Sequence, residues 1–284
     1  GDHSMRSHSL DNSEQIRNDN NILPIISDAD WPIQQYAGDI EADLASIDNV
    51  KTAQAIIGNL SYTDKMPGPS FNLPASACPV GSRMRHVKGS ICSICYAADS
   101  IEWRKEIASC LGTGLTMSNF ISENTRRANA YRLHALRDRM WVPAMVYALR
   151  YGDATRGVDY MRWMSSGDVQ SLNHFHNIIS VAQHTPHTQH WVPTNEHANA
   201  KRVKPPKNMV IRASARMVDG PPPKGFANVS TVSTGVDPSH GGLRCEAAAN
   251  PVYQCGSCRS CWDTDVVHID YLEKRTMSDS KKCT

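Results

Sequence analysis

The sequence predicts an α/β protein, a partial (βα) barrel that is followed by a cysteine-rich C-terminal extension. Strand-like segments in the second half of the chain are separated by helical or loop segments, which is typical of parallel βα units. Four strand-like segments are too few for a closed barrel of eight strands. Four of the nine cysteines lie between residues 245 and 261, after the last predicted strand.

The first half of the chain is predicted to be mainly helical. Apolar residues recur at helical spacing from Ile40 to Ile57, and Pro143 suits the first turn of a helix. Ser118 is a suitable N-cap for the third helix. The stretch 65–79 is rich in turn-forming residues and is predicted to be irregular. The predicted helices span residues 39–60, 98–110, 118–138 and a segment from Pro143 to Tyr151.

The second half is predicted to contain the strands. A helix over 169–184 follows the first strand, because Leu172, Phe175 and Ile178 share one helical face. The loop 219–225 contains three consecutive prolines and is predicted to be rigid, not a domain boundary. The predicted strands span residues 158–164, 189–194, 209–214 and 227–233.

The chain is divided by composition into three parts. Residues 1–31 are polar and predicted to be flexible, and the first four resemble a tag remnant. Residues 32–240 are assigned to the partial barrel with a three-cysteine loop. Residues 241–284 are assigned to the C-terminal cysteine-rich extension.

Bulk properties narrow the possible partners. The net charge is +2 and the sequence pI is about 8.1, so there is no strong signal for nucleic acid and none for a membrane. No apolar run approaches the roughly 20 residues that a transmembrane helix needs, and no signal peptide is recognisable. We therefore expect a cytoplasmic protein, in which clustered cysteines are more often metal ligands than disulfides.

Seven cysteines fall into two groups with metal-ligand spacing. The two-residue gap between cysteines lets neighbouring thiolates turn toward one metal centre. The spacing C-x2-C-x2-C resembles the first three ligands of a bacterial ferredoxin site, so the second group is predicted to bind a 4Fe–4S cluster completely. The first group offers three ligands, which would leave one iron open. The three-cysteine group is Cys78, Cys92 and Cys95, and the four-cysteine group is Cys245, Cys255, Cys258 and Cys261.

Other interpretations of the metal-ligating residues stay open. The four-cysteine group could bind structural zinc. The three-cysteine group could join it in one shared site, or bind zinc together with His86. Cys110 is predicted to be a small core residue and Cys283 to be free. Three further histidines lack regular spacing with the cysteines and are predicted to lie at the surface, namely His184, His187 and His190.

Four segments in a fixed order carry a family resemblance. "KMPGPSFNLPA" is followed by "CSICYA", by "YMRWMSSGD" and by "CGSCRSCW". Together they cover residues 65–262 and resemble the bacteriophage gene product 88 proteins. That pattern in turn is similar to the radical S-adenosylmethionine (SAM) superfamily, in which a partial (βα) barrel carries a three-cysteine loop after its first strand.

The radical SAM resemblance implies roles for several residues. Cys78, Cys92 and Cys95 would bind a 4Fe–4S cluster whose open iron chelates SAM, and Tyr96 would lie beside that cluster. Gly167 and Asp168 would correspond to the glycine–acid turn after the second strand, which holds the SAM amino group. The four-cysteine group would bind an auxiliary cluster.

The residues after the first predicted strand suggest a ligand site independently of that resemblance. Loops at the carboxyl ends of barrel strands build active sites, and Ser166, Gly167 and Asp168 lie in such a loop. Asp168 could bind a ligand or cap the helix that begins at Val169. Arg162 could point into the barrel, where it would suit a carboxylate or a cluster, or out to solvent. Two weaker candidates also lie at strand ends, Thr194 and Ser214.

The predicted function is that of a phage-type iron–sulfur protein, and the leading hypothesis is a SAM-dependent radical enzyme of unknown substrate. A reductase or ferredoxin would supply its electrons, and its substrate, a small molecule or a protein, is not encoded in any recognisable motif. The alternatives are a non-enzymatic iron–sulfur protein, acting in electron transfer, redox sensing or as a phage accessory factor, and a zinc-stabilised binding module. For a phage-encoded protein the expected location is the host cytoplasm.

Overall fold

One sheet of seven parallel strands organises the computed structural model, which describes residues 22–111, 120–153, 157–249 and 252–273. The four predicted strands are all present, and three further strands were not predicted. The strands are β1 Ser70–Phe71, β2 Tyr160–Trp163, β3 Gln189–Thr194, β4 Met209–Ser214, β5 Asn228–Ser233, β6 Leu243–Arg244 and β7 His268–Leu272.

The strand order β1-β2-β3-β4-β5-β7-β6 shows how the sheet is wound. Each of the first five strands adds to the same edge, whereas a doubly wound sheet reverses direction partway. Within the described residues β1 and β6 remain edge strands, so the sheet is not closed. The predicted α/β class is therefore confirmed, and β6 and β7 show that residues after 240 also contribute to this sheet.

Helices cover one face of the sheet, here called the outer face. Alternate strand residues such as Met161, Trp163 and Val192 are buried against these helices. Buried helix residues such as Leu133 and Phe175 complete this apolar core. The helices are α1 Ile40–Ala45, α2 Val50–Ile57, α3 Gly81–Met84, α4 Ile101–Leu111, α5 Glu123–Ala135, α6 Trp141–Tyr151, α7 Leu172–Gln183, α8 His197–Ala200 and α9 Glu246–Ala249.

Capping side chains explain where the observed helices differ from the predicted ones. The predicted helix over 39–60 is wrong as a single helix, because Asn49 accepts a hydrogen bond from Thr52 N and starts α2. Ser122 caps α5 through Thr125 N, so the predicted cap at Ser118 is wrong. Ser171 caps α7, which begins three residues later than predicted.

Two sequence predictions fall on single residues and have different outcomes. The prediction that His190 lies at the surface is wrong, because its side chain is on the helix-covered outer face of β3 and is fully buried. There its ring accepts a hydrogen bond from Trp163 Nε1 at 3.1 Å. His187 is exposed, as predicted. The predictions for residues 1–21 and Cys283 lie outside the described residues, as does the side chain of Cys110.

None of the helices in the described part of the chain is long and apolar enough to span a membrane.

Candidate metal centre

Both cysteine groups line one cavity of about 440 Å³ on the sheet face opposite the helices, here called the inner face. Inner-face residues of neighbouring strands, among them Arg162, Trp191 and Tyr271, form its floor. The loops at the carboxyl ends of β1 to β4 form one wall. Six cysteines line the cavity: Cys78, Cys92, Cys95, Cys245, Cys255 and Cys261.

The three-cysteine loop follows β1 and is held by loops that follow β3 and β4. Val80 N donates to Glu196 Oε1 at 2.7 Å. Ile91 N donates to Arg216 O at 3.0 Å, and Val218 N donates to Gly89 O at 2.9 Å. These bonds fix the loop at the carboxyl edge of the sheet, where parallel α/β folds place their sites.

Gly81 leaves room beside two of the thiols. A Cβ atom at this glycine would lie 3.5 Å from both Cys78 Sγ and Cys92 Sγ and 2.8 Å from Cys78 Cβ. The two sulfurs therefore face one small volume that any larger residue would partly fill. All seven grouped cysteines are free thiols, so neither group forms a disulfide in this structure.

Burial and mutual repulsion disfavour thiolates in the three-cysteine group. Burial raises the pKa of Cys78 well above its ordinary value, and the nearby Asp168 carboxylate adds to this effect. Burial also raises the pKa of Cys92 to about 12, with further contributions from Cys95 and Asp168. A cationic centre would reverse this preference, because it stabilises coordinating thiolates.

The four-cysteine group lies on a segment that crosses the inner face. Trp262 packs edge-on against Trp191 with ring centroids 5.3 Å apart, and its Nε1 donates to Met161 O at 2.9 Å. Arg212 Nη2 donates to Ser260 O at 3.4 Å, and Cys255 N donates to Lys65 O at 2.9 Å. Aromatic packing and backbone hydrogen bonds thus hold this segment over β2, β3 and β4.

Two arginine side chains lie close to the four-cysteine group. Burial raises the pKa of Cys261 to about 11, while a hydrogen bond with the Tyr271 hydroxyl at 3.3 Å and the charges of Arg162 and Arg212 act in the opposite direction. Cys258 does not line the cavity, and its thiol donates to Ser260 Oγ at 3.4 Å.

Asp168 lines the cavity but does not cap a helix. Its Oδ1 accepts hydrogen bonds from Val169 N at 2.7 Å and Thr194 Oγ1 at 2.6 Å, and its Oδ2 accepts one from Asn195 N at 2.8 Å. Burial raises the pKa of Asp168 to about 7, although these hydrogen bonds lower it. The helix-cap interpretation is wrong, because α7 begins at Leu172.

Ser166 and Gly167 join the loops that follow β1 and β2. Ser166 Oγ donates to Leu73 O at 2.9 Å and accepts from Asn129 Nδ2 at 3.0 Å. Gly167 has a φ of +80°, and a Cβ atom there would lie 2.5 Å from Leu73 Cβ. Both residues line the cavity, but the hydrogen bonds of the Ser166 hydroxyl already go to the protein.

Tyr96 and Arg162 both line the cavity. The Tyr96 hydroxyl donates to Ser165 O, so this ring bridges the three-cysteine loop and the end of β2. The Arg162 guanidinium lies 4.6 Å from the centre of the Trp191 ring. Arg162 therefore points to the inner face, which confirms one of its two expected orientations. Ser214 also lines the cavity.

A family model described as gene product 88 matches residues 43–269, which is most of the chain. The chain belongs to the gene product 88 family. This finding confirms the phage family expected from the four motif segments. No curated protein matches the chain, and no solved structure matches it either.

Several charged residues that contact the two cysteine segments were not predicted from sequence. Glu196 and Arg216 follow β3 and β4, at the same edge as Asp168, and the rule that selected Asp168 could have selected them. Nothing in the sequence marks Arg212, which is fully buried and binds the four-cysteine segment through backbone carbonyls.

No group of three or more His, Cys, Asp or Glu side chains within the described residues is arranged to hold a single metal ion. Zinc requires its sulfur ligands about 2.3 Å from one point. Thiolates that bind separate irons of a cluster need not converge in this way, because each binds a different corner. The free thiols and the space beside Gly81 are compatible with such a larger group.

Proposed function

We propose that the chain is an iron–sulfur protein in which the three-cysteine group and the four-cysteine group each bind a 4Fe–4S cluster. The observation that carries the proposal is that two groups far apart in the chain line one cavity as free thiols. Structural zinc at either group is the alternative that metal analysis distinguishes.

The two groups would bind their clusters differently. The four-cysteine group supplies a complete set of thiolates, provided that Cys258 rotates away from Ser260. The three-cysteine group supplies one ligand fewer, which leaves one iron for a small molecule. We propose SAM as that molecule, in keeping with the three-cysteine loop after β1 and the acid after β2.

When bound together, a reduced cluster and SAM supply a carbon radical. The protein would orient the small molecule with the residues at the carboxyl edge of the sheet. Asp168 Oδ2 accepts one protein hydrogen bond and retains capacity for a second, which suits an ammonium group. Thr194 and Val169 hold that carboxylate in place through its other oxygen. The substrate class, small molecule or protein, stays undefined.

A non-enzymatic iron–sulfur protein is the second candidate, and one observation favours it. The Ser166 hydroxyl and Asp168 Oδ1 already make hydrogen bonds within the protein, so they serve the scaffold as well as any ligand. Such a protein would exchange electrons with a reductase or ferredoxin, or respond to redox state, without binding SAM.

Iron and sulfide analysis of anaerobically purified protein tests the cluster proposal. Two clusters predict about eight irons and eight sulfides per chain. Cys92→Ser and Cys258→Ser should each remove about half of that iron, whereas the matched change Ser93→Ala, beside Cys92, should leave it intact. Zinc without iron in the wild-type protein would contradict the proposal.

SAM binding then distinguishes the two candidate functions. Addition of SAM to the reduced protein should change the EPR signal that Cys92→Ser abolishes, and should leave the signal that Cys258→Ser abolishes unchanged. An enzyme of this class should also release 5′-deoxyadenosine. If millimolar SAM perturbs neither signal, the non-enzymatic function is the better description.

A further inference from the structure

We infer that the protein places more positive charge around its four-cysteine group than around its three-cysteine group, so that the centre at the four-cysteine group has the higher reduction potential. This inference rests on the proposed function, because it requires a redox-active cluster at each group. It adds a direction to electron flow within the cavity, which the ligand spacing alone does not give.

Arg212 places a buried positive charge beneath the four-cysteine segment. Its side chain is fully buried on the inner face of β4. Its hydrogen bonds in the described part of the chain all go to backbone carbonyls, including those of Ser260 and Asp263 on either side of Cys261. A buried guanidinium without a bonded carboxylate is costly unless another anionic group lies close by.

Arg162 supplies a second cation to the same group. It lines the cavity and contacts Trp191, which packs edge-on against Trp262, the residue after Cys261. Its guanidinium stacks on Trp191, its Nη1 contacts Met66 Sδ at 3.5 Å, and its Nε has no hydrogen-bond partner among the described residues. No carboxylate in those ranges forms an ion pair with it.

Charges of both signs lie at the three-cysteine group. Glu196 Oε1 accepts a hydrogen bond from the backbone two residues after Cys78, and Asp168 lines the cavity beside the same loop. Arg216 Nη2 donates to Asn195 O at 3.2 Å, at the same edge of the sheet, and Arg83 lies within the loop itself. The two carboxylates offset these two cations, so this group has no excess of positive charge.

The sign of the effect follows from the electron added on reduction. A thiolate-bound 4Fe–4S cluster is anionic, and reduction makes it more negative. Nearby guanidinium groups stabilise the reduced state and raise the potential, whereas carboxylates lower it, most strongly where burial limits screening. Lys65 and Glu273, one of each sign, also line the cavity and leave this difference in place.

An EPR-monitored redox titration of the reconstituted full-length chain tests the inference. The titration is run above the pKa of Asp168, about 7, so that this group is ionised. Cys92→Ser and Cys258→Ser assign the two signals. In the wild-type protein we expect the signal of the four-cysteine group to appear at the higher potential.

Charge variants show whether the named residues set the difference. Arg162→Gln should lower the reduction potential of the four-cysteine centre by about 59 mV, which is a tenfold change in the equilibrium constant for its reduction. Arg162→Lys keeps the positive charge and should restore the potential. Glu196→Gln keeps an acceptor for Val80 N and should raise the potential of the three-cysteine centre. Arg139→Gln removes the same charge from a side chain that is 74% exposed and should move neither signal.

The outcomes separate this inference from the proposed function. Equal potentials, a reversed order, or an Arg162→Gln protein with an unchanged four-cysteine centre would overturn the inference while both clusters remain present. Absence of iron and sulfide from the wild-type protein would overturn the proposed function and the inference together. If the Arg162→Gln protein does not bind its second cluster, the order of the two reduction potentials in the wild-type protein and the shift in Glu196→Gln decide whether the inference holds.

Discussion

At the scale of single residues, Asp168 connects two loops through both of its carboxylate oxygens. Three donors converge on it, from Val169, Thr194 and Asn195. A carboxylate can accept from all three, whereas an amide has only one acceptor oxygen and must turn its NH2 group toward another donor. The residue therefore determines the local structure whether or not a ligand binds.

Asp168→Asn is expected to destabilise the protein by about 1–3 kcal/mol, because a buried donor loses its partner. Chemical denaturation of the protein without metal measures this loss. Asp159→Asn is the matched control, since Asp159 is exposed just before β2. Equal stability of the two variants would show that the Asp168 contacts are dispensable for folding.

His190 gives the protein a pH-dependent stability. Its Nδ1 accepts from Trp163 Nε1, so its Nε2 carries the proton and donates to Thr185 Oγ1 at 2.8 Å. Thr185 Oγ1 donates in turn to Val181 O at 2.7 Å. Burial lowers the pKa of His190 to about 3 from an ordinary value of 6.5, because it disfavours the charged imidazolium.

Acidification is therefore expected to weaken the fold below about pH 6.5. The unfolded chain binds a proton at His190 between pH 6.5 and 3 and the folded chain does not, so stability is full above this window and declines as pH falls through it. The slope contributed by this group approaches about 1.4 kcal/mol per pH unit. Denaturation at several pH values should show a smaller slope for His190→Gln, and parallel curves would contradict the assignment.

At the scale of elements, the loops after β1 and β2 approach each other most closely at Gly167. Its φ of +80° favours glycine, and a Cβ atom would also lie 2.8 Å from Leu73 O. Gly241 has a similar φ of +73°, but no atom of the described residues lies within 4 Å of such a Cβ atom. Alanine substitutions at the two positions therefore distinguish the cost of backbone strain from the cost of steric contact.

Gly167→Ala should cost more stability than Gly241→Ala. Both variants hold an alanine at a positive φ, which costs about 1 kcal/mol. Only Gly167→Ala must also displace the loop that follows β1. We expect the excess to reach about 1–3 kcal/mol, the usual cost of overpacking. Thermal and chemical denaturation of both variants would measure it, and equal losses would indicate that the loop yields freely.

Four strands could be predicted from the sequence, whereas the two-residue strands β1 and β6 and the five-residue strand β7 could not. Strands β3 and β4 have β-rich segments with clear boundaries, and both match their predicted limits. The two-residue strand β1 lies in a proline- and glycine-rich stretch and exists only because Ser70 and Phe71 pair with β2. Strand β7 was missed because the pairing that defines it, with β5 and β6, comes from the tertiary fold.

At the scale of the whole molecule, metal removal should lower stability substantially. The two cysteine groups come from distant parts of the chain and line one cavity, so the two proposed clusters would hold both segments in the folded state and stabilise it. Chelation under anaerobic conditions should lower the melting temperature of the wild-type protein and leave that of a Cys92→Ser, Cys258→Ser double variant nearly unchanged. Equal shifts in both proteins would argue against the cysteines as ligands.

Cysteine spacing predicted the ligand candidates, but it could not predict that they share a cavity. That juxtaposition arises because the three-cysteine loop lies at the carboxyl edge of the sheet and the four-cysteine segment crosses its inner face. The prediction for Arg162 depended on which strand face is covered, and the packing of Trp163 against the helices settled it. Arg212 could not be recognised, because its partners are backbone carbonyls that carry no sequence signal.

The position of β7 has a consequence for synthesis of the protein on the ribosome. β7 follows β6 in the chain but lies between β5 and β6, so this edge of the sheet forms only after Leu272 has been translated. At about 5–20 residues per second, the stretch from Cys95 to Cys245 takes roughly 8–30 seconds to translate, so the three-cysteine loop leaves the ribosome well before the segment that covers the inner face. During that interval this segment does not cover the first loop, so we expect the cluster proposed there to be inserted first, and the cluster proposed for the second group only as the cavity closes.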